Sequence, residues 1–195
     1  SLDGTYTTSI LEAGNADIGD VDFDGAVSLA GNTTVDTSSS NGTIDFTGAV
    51  DGSNTLTITS GSGAVDIAST VGGTTALSSL KINESSGTGT IAVNNIGDGD
   101  PVAGVTGLTV LGNANTSSLT TDGTNYDFGG GITIGPDFTM VGSPLNNSFT
   151  TSGNVSFGGD VTVDGTLTVN TSGGNISIAG NITSTGKDEV VSLSD

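Results

Sequence analysis

The feature that most restricts the fold is a pair of apolar residues, two positions apart, that occurs once in each of seven repeated units. The clearest copy of the unit is NVSFGGDVTVDGTLTVN at Asn154–Asn170, which contains three short apolar-alternating runs separated by Gly-Gly-Asp and Asp-Gly. Successive side chains of a strand point to opposite faces, so each apolar pair lies on one face. The unit is therefore predicted to be three short strands joined by tight corners.

Aligning the rest of the chain on this unit produces columns of matching residue type. The first pair of columns consists of Val21/Phe23, Ile44/Phe46, Val65/Ile67, Ile91/Val93, Tyr126/Phe128, Val155/Phe157 and Ile176/Ile178. A third column, three or four residues later, consists of Val27, Val50, Val71, Ile96, Ile132, Val161 and Ile182. The last pair consists of Thr33/Val35, Leu56/Ile58, Leu80/Ile82, Leu108/Val110, Phe138/Met140, Leu167/Val169 and Val191/Leu193. Seven imperfect repeats are therefore predicted.

Self-similarity at a period of roughly 20–35 residues indicates a repeat array, because one such unit cannot bury its apolar face alone. Three apolar runs per unit, separated by Gly, Asn and Asp corners, match one coil of a parallel β-solenoid. A β-sandwich or jelly roll also contains many short strands and is the alternative. A sandwich, however, gives no reason for the same residue type to recur at the same position of every repeat. We therefore expect an all-β solenoid of about seven coils.

The chain is expected to form a single solenoid domain over residues 15–195. Residues 1–14 are mildly apolar and are predicted to form an N-terminal cap or a strand offered to a neighbouring subunit. Two corners, at 111–125 and 141–154, are longer than the others and contain the similar sequences SSLTT and NSFTT. We expect an added strand or arm there; the alternative is a loop that turns Leu119 and Phe149 inward.

The balance of charge excludes several classes of partner. Lys81 and Lys187 are the only basic residues, against 21 acidic ones, and the formal net charge is −19. Nucleic-acid binding is excluded because phosphate neutralisation needs Lys or Arg, and anionic membranes repel such a chain. No apolar run approaches the roughly 18 residues of a membrane span. We therefore expect neither a nucleic-acid partner nor membrane insertion.

The residue types present also restrict catalysis. The chain contains no His, Cys or Arg, so neither a Ser-His-Asp nor a Cys-His constellation can form. The run Gly129-Gly130-Gly131 lacks the strand-to-helix context and the following Lys of a phosphate loop, and is predicted to be a corner. We expect a protein that is not an enzyme and has no cofactor, with Ca²⁺ as the one ion to consider.

Asp20, Asp22 and Asp24 are candidates for a Ca²⁺ site. They alternate with Val21 and Phe23, which places the carboxylates on one outward face with about 7 Å between successive members. Ca²⁺ takes several oxygen ligands, so the spacing suits it; glycosidic acid–base chemistry is a further reading. The simpler alternative is a solvated outer strand face.

A second acidic pattern is expected to run from coil to coil. Asp22, Asp45 and Asp66 occupy the same place in successive units, with Asp127 further along, and are predicted to stack as a ladder. Like charges at that spacing repel, so the ladder either binds cations or depends on screening by solvent and salt.

The sequence GTIDFTGAVDGSNTLTITSGSGAVDIASTVGGTTALSSLKI, at Gly42–Ile82, resembles the β-strand repeats of very large bacterial surface proteins, the filamentous-haemagglutinin-like and autotransporter-like β-helix adhesins. The resemblance covers roughly residues 14–195 and rests on repeat style and composition. It implies a secreted right-handed parallel β-helix with a structural or adhesive role, and carries over no site residue. A Cys-free, Lys-poor composition rich in Thr, Gly and Asn is also typical of exported prokaryotic proteins, so we expect an extracellular or cell-surface location.

The ends of such a solenoid suggest its function. An uncapped end exposes unpaired backbone groups and an apolar cross-section, and Val190-Val191-Ser192-Leu193 is an apolar strand run. We therefore expect the chain itself as the main partner, in a head-to-tail filament, sheath or surface layer. One alternative is a stalk segment of a larger adhesin, which contacts surface glycans or neighbouring cells. A carbohydrate-active β-helix enzyme is the less favoured one.

Overall fold

The computed structural model describes residues 2–7 (backbone only), 19–98, 104–121, 123–140, 146–186 and 189–195. These residues form strands, turns and single bridges, and none of them is helical. The strands pair in parallel, and each pairs with strands about one repeat away rather than with its neighbour in sequence. The predicted all-β solenoid of about seven coils is therefore confirmed.

Three sheets run along the rod. Sheet A contains, in order, β1 (Leu2–Thr7), β3 (Val27–Asp36), β6 (Thr55–Thr59), β8 (Ser79–Ile82), β10 (Thr109–Leu111), β13 (Ile132–Ile134), β16 (Val155–Phe157) and β19 (Ile176–Ile178). Sheet B contains β2 (Val21–Phe23), β4 (Ile44–Phe46), β7 (Val65–Ile67), β9 (Ile91–Val93), β11 (Leu119–Thr121), β14 (Phe138–Met140), β17 (Val161–Val163) and β20 (Ile182–Ser184). Sheet C contains β12 (Asn125–Phe128), β15 (Asn146–Thr151), β18 (Thr166–Thr171) and β21 (Val190–Ser194); bridges through Ile96 and Val71 extend it to β5 (Val50–Asp51) and the start of β3.

In each coil the chain passes through sheet B, then sheet C, then sheet A. Seven complete coils begin with β2, β4, β7, β9, β11, β14 and β17. Three strands lie outside them: β1 extends sheet A before the first coil, and β20 and β21 extend sheets B and C after the seventh. The segment 1–14 thus contributes a strand that pairs with β3, and residues 8–14 lie outside the described part.

Alternation along each strand separates core from surface. Ile44 and Phe46 of β4 are 0% and 1% exposed, whereas Asp45 between them faces outward and is half-buried. The corners must be small because the coils stack closely. A Cβ atom on Gly63 would lie 2.1 Å from the carbonyl oxygen of Gly42 in the previous coil. Glycine at this corner therefore permits the coils to pair at normal strand spacing.

The predicted columns are confirmed in the first three coils, and the first pair and the third column are confirmed in the fourth coil as well; beyond it the column members lie in different sheets. Phe23, Phe46, Ile67 and Val93 are consecutive partners along sheet B. The next partner of Val93 is Thr121, a polar residue that the alignment did not place there. As a result, the later column members lie in other sheets, Tyr126/Phe128 in sheet C and Val155/Phe157 and Ile176/Ile178 in sheet A.

The pairing of β10 corrects a second prediction, that Leu108 and Val110 occupy paired inward positions. Thr109 pairs with Leu80, and Leu111 pairs with Ile82. Leu108 is consequently exposed, and Thr109 is buried. Side chains alternate with a period of two, so this shift by one residue exchanges the two faces of the strand.

The two long corners contribute ordinary strands where they are described. β11 pairs with β9 and β14, and β15 pairs with β12 and β18. Leu119 and Phe149 are completely buried. The expectation of an added arm is corrected for these residues, because SSLTT and NSFTT belong to the coils themselves; residues 122 and 141–145 lie outside the described part.

Phe149 lies at the centre of an aromatic cluster in the fifth and sixth coils. Its ring stacks on Tyr126 at a centroid distance of 4.8 Å and contacts Phe138 and Phe157 edge-on at 5.7 and 6.1 Å. The Tyr126 hydroxyl donates to the carbonyl oxygen of Val93 at 3.2 Å and accepts from the Gly123 N–H at 3.0 Å. The cluster therefore fills the interior without leaving the phenol unpaired.

Candidate functional site

The predicted acidic ladder forms at the N-terminal end of sheet B. Asp22 pairs with Asp45, and Asp45 pairs with Asp66, so three outward carboxylates stand in successive coils. Asp127 lies in β12 of sheet C and is not part of this ladder, which corrects that expectation. From the fourth coil onward the same outward column consists of Ala92, Thr120, Thr139, Thr162 and Thr183.

The Asp20, Asp22 and Asp24 set is divided between two environments. The Oδ1 atom of Asp20 accepts a hydrogen bond from the Thr43 N–H at 2.6 Å. Asp22 and Asp24 instead line a shallow groove of about 260 Å³, together with residues of the ladder. Among the described residues, no group of three or more acidic side chains is arranged to hold a metal ion. Ca²⁺ binding stays a prediction from sequence.

The middle carboxylate of the ladder is electrostatically strained. Burial, followed by the charges of Asp22 and Asp66, raises the pKa of Asp45 above its ordinary range, and Asp20 adds to the effect. Each influence disfavours the charged form. The outer face of the first three coils therefore accumulates negative charge, whereas the corresponding face of the last coils presents neutral hydroxyl groups.

Several corner Asn and Asp side chains connect one coil to the next, and most of these links run in the same direction. Asp137 Oδ1 accepts from the Asp160 N–H at 2.9 Å, and Asp160 Oδ1 accepts from the Asn181 N–H at 2.7 Å. The same link, from a side-chain oxygen to an N–H of the following coil, is made by Asp20, Asn32, Asn41, Asp51, Asn95 and Asn154. Asn83 makes the reverse link, to the Ser60 N–H of the preceding coil. We call these contacts the corner links; sequence reasoning missed them, although Asn or Asp recurs directly before strands of sheet B.

The C-terminal end of the rod presents three edge strands, β19, β20 and β21, one from each sheet. Their inward apolar side chains are poorly covered: Ile182 is 47% exposed and Leu193 is 45% exposed. A groove of about 220 Å³ runs between the ends of β19 and β21, lined by Asn175, Ile176 and Leu193. This end, predicted from the apolar run at Val190–Leu193, is an unpaired β-sheet surface of the kind that binds another strand.

The opposite end is better covered. Val27, Leu29 and Val35 in the first coil are 8%, 3% and 0% exposed. The Phe23 ring stacks on Phe46 at 4.5 Å. Among the described residues, β1 pairs with β3 on one of its edges only. The two ends therefore differ in side-chain exposure, and each ends in strands that have one edge without a described partner.

Comparison of the chain with protein-family models, curated proteins and solved structures found no match. The described residues include no helix of the length and apolarity that a membrane crossing requires. What is known of the candidate site therefore comes from its own geometry: an acidic face, a set of directional corner links and an open end.

Proposed function

We propose that this chain is a non-enzymatic structural protein of the cell surface or extracellular space, and that copies assemble head to tail into a filament, sheath or layer. The observation that supports it is the C-terminal coil, where Ile182 and Leu193 occupy core columns but remain about half exposed. Burial of such side chains contributes roughly 25 cal/mol per Å² of apolar surface removed from water. A further coil against this end would bury them and pair the edge strands at the same time.

The parallel arrangement makes the assembly open-ended. Both ends of the rod differ in residues and in strand content, so a contact between unlike ends leaves a free end of each kind on the product. A heterologous contact that does not close into a ring generates a fibre. The low number of Lys residues and the net charge of −19 keep such fibres apart from one another through repulsion.

A second function has support from the same surface: a stalk segment in a larger surface protein, where flanking coils cover both ends. The resemblance of Gly42–Ile82 to adhesin repeats favours it. In that case glycans or neighbouring cells would be the partners of the whole protein. The two proposals differ in what the isolated chain does at high concentration.

Negative-stain electron microscopy and sedimentation velocity of the purified chain test the proposal. We expect fibres of uniform width and a sedimentation coefficient that rises with concentration. Monomeric short rods at every concentration would contradict self-assembly and favour the stalk. Repeating the measurement with a chelator asks a separate question: loss of fibres on chelation would show that assembly needs a divalent cation, for which the acidic ladder is the candidate site.

A further inference from the structure

We infer that the two ends of this chain interlock in one specific register to complete a single shared coil. In this junction β20 pairs with β2 of the next copy, β21 pairs with the start of β3 of the next copy, and β1 of the next copy pairs with β19. The inference rests on the proposed head-to-tail assembly and specifies its contact.

The strand content of the two ends is complementary. The strands outside the seven complete coils are one of sheet A at the N-terminal end and one each of sheets B and C at the C-terminal end. Together they amount to one coil. The groove between β19 and β21 lies beside the unpaired edge of sheet A, where β1 of the next copy would continue the sheet. Stacking in this way extends all three sheets without a gap.

Two inward columns match chemically at the junction, whereas a third places Phe23 of the next copy on Ser184. Continuing sheet B places Val21 of the next copy on Ile182, and continuing sheet C places Val27 on Leu193, so apolar positions meet apolar ones. Between them, Asp22 of the next copy meets Thr183, whose hydroxyl already lies 3.2 Å from that of Thr162. A hydroxyl can donate to a carboxylate, so the junction adds a hydrogen-bond donor beside Asp22 instead of a further like charge.

The corner links continue across the same junction. Asn181 occupies the column of Asp137 and Asp160, each of which accepts from the backbone N–H one coil later. In the stacked register, that N–H belongs to Asp20 of the next copy. Asn175, which follows Asn154 in its column, faces β1 of the next copy in the same manner. The direction of the links thus presents side-chain acceptors at the C-terminal end, where the next copy supplies backbone donors.

A glycine at the N-terminal end is consistent with this register. A Cβ atom on Gly48 would lie 2.4 Å from the carbonyl carbon of Gly25, one coil earlier. A Cβ atom on Gly25 would meet nothing within 4 Å in the single chain. In the stack, the corresponding corner of the preceding copy is Gly186. Glycine would then meet glycine at the junction, as Gly25 and Gly48 do between the first two coils.

Disulfide mapping tests the register, and the absence of Cys makes the chain suitable for it. The double variants D22C/T183C and T5C/S177C each place one Cys on either side of the junction at paired positions, within the separation that a disulfide spans. In one copy, Asp22 and Thr183 are at opposite edges of the eight strands of sheet B, so they cannot join within a chain. We expect both variants to form covalent ladders of dimers and longer oligomers on non-reducing gels.

The control is D22C/S177C, which combines one residue from each matched pair. Ser177 lies in sheet A and Asp22 in sheet B, so this variant should remain monomeric on the gel. Fibres of the wild-type chain without cross-linking of the matched pairs would overturn the register and leave the proposed function standing. Absence of fibres, with the matched pairs monomeric, would overturn both.

A third variant removes the contact without adding a thiol. Gly25→Ala is expected to keep the circular dichroism spectrum and melting temperature of the unassembled chain, because its Cβ meets nothing there. Its fibre yield should fall strongly, because the methyl group would press on the preceding copy. Unchanged fibre yield would contradict the proposed register.

Discussion

Val169 and Leu193 are neighbours in one column of sheet C, yet Val169 is completely buried and Leu193 is 45% exposed. Val161 and Ile182 show the same contrast in sheet B, at 0% and 47%. The two residues of each pair lie in the same sheet, at the same register position, and both are apolar. They differ in whether a further coil covers them. Burial in this fold is therefore supplied by the neighbouring coil rather than by the unit itself.

The largest effect is expected when a leucine side chain is removed from a covered coil and, in a second variant, from the uncovered last strand. Leu167→Ala, in a completely buried position of β18, is expected to cost about 2–5 kcal/mol of unfolding free energy. Leu193→Ala should cost about 1 kcal/mol or less in the unassembled chain, since its side chain is already half exposed. Urea denaturation of both variants measures the difference, and equal losses would contradict the idea that the last coil is uncovered.

Corner glycines provide the next test. Gly63→Ala is expected to cost about 1–3 kcal/mol, because the new Cβ would press on the Gly42 carbonyl oxygen. Gly25→Ala, at an equally small corner with no coil before it, should change the stability of the unassembled chain by a few tenths of a kcal/mol at most. If thermal melts show that Gly25→Ala is the more destabilising variant, the close approach of neighbouring coils is not what restricts residue size at these corners.

Two inward threonines differ in whether the side-chain hydroxyl is hydrogen-bonded. The Thr121 hydroxyl donates to Asn147 Oδ1, whereas the buried Thr109 hydroxyl has no hydrogen-bond partner among the described residues. Thr121→Val should therefore destabilise by about 1–3 kcal/mol, because it leaves a buried amide oxygen unpaired. Thr109→Val should stabilise by about 1 kcal/mol. A loss of stability in Thr109→Val, measured by denaturation, would show that this hydroxyl is bonded.

The smallest effect is expected at the acidic face. A raised pKa means that the folded state binds the proton of Asp45 more tightly than the unfolded chain. This contribution to stability is present below the ordinary carboxyl pKa of about 4 and is lost as pH rises through the raised value. Asp45→Asn should raise the melting temperature slightly at pH 7, by the equivalent of about 1 kcal/mol or less, and the gain should shrink near pH 3. Thr139→Asn is the control at the same column, and a pH-independent effect of Asp45→Asn would contradict the account.

The same residues explain how far the sequence could be interpreted. The solenoid and its first three coils are readable because most inward positions there, such as Phe46 and Ile67, are apolar. Beyond Val93 the inward column contains Thr121, whose polarity is satisfied by a side chain from a different strand. An alignment of apolar residues cannot detect such a polar partner. It therefore assigned Leu119–Thr121 to an insertion and placed the strands of every later repeat in the wrong sheet.

The open end was predictable and the corner links were not. Val190-Val191-Ser192-Leu193 is an apolar strand run in the sequence whatever surrounds it, and in the last described coil Leu193 of that run is 45% exposed. A corner Asn or Asp, by contrast, is typical of any turn. Its role depends on which N–H lies 2.6–3.0 Å away in the next coil, and that distance is set by the stacking of coils.

The aromatic cluster around Phe149 has a consequence for how the rod comes apart. Edge coils of a solenoid detach in sequence, each exposing the next, but the rings of Tyr126, Phe138, Phe149 and Phe157 must separate together. Fraying from the C-terminal tip should therefore halt at the sixth coil. Amide hydrogen exchange would then divide the molecule into a fast-exchanging tip and a slow-exchanging shaft, with the boundary at this cluster rather than at any domain border.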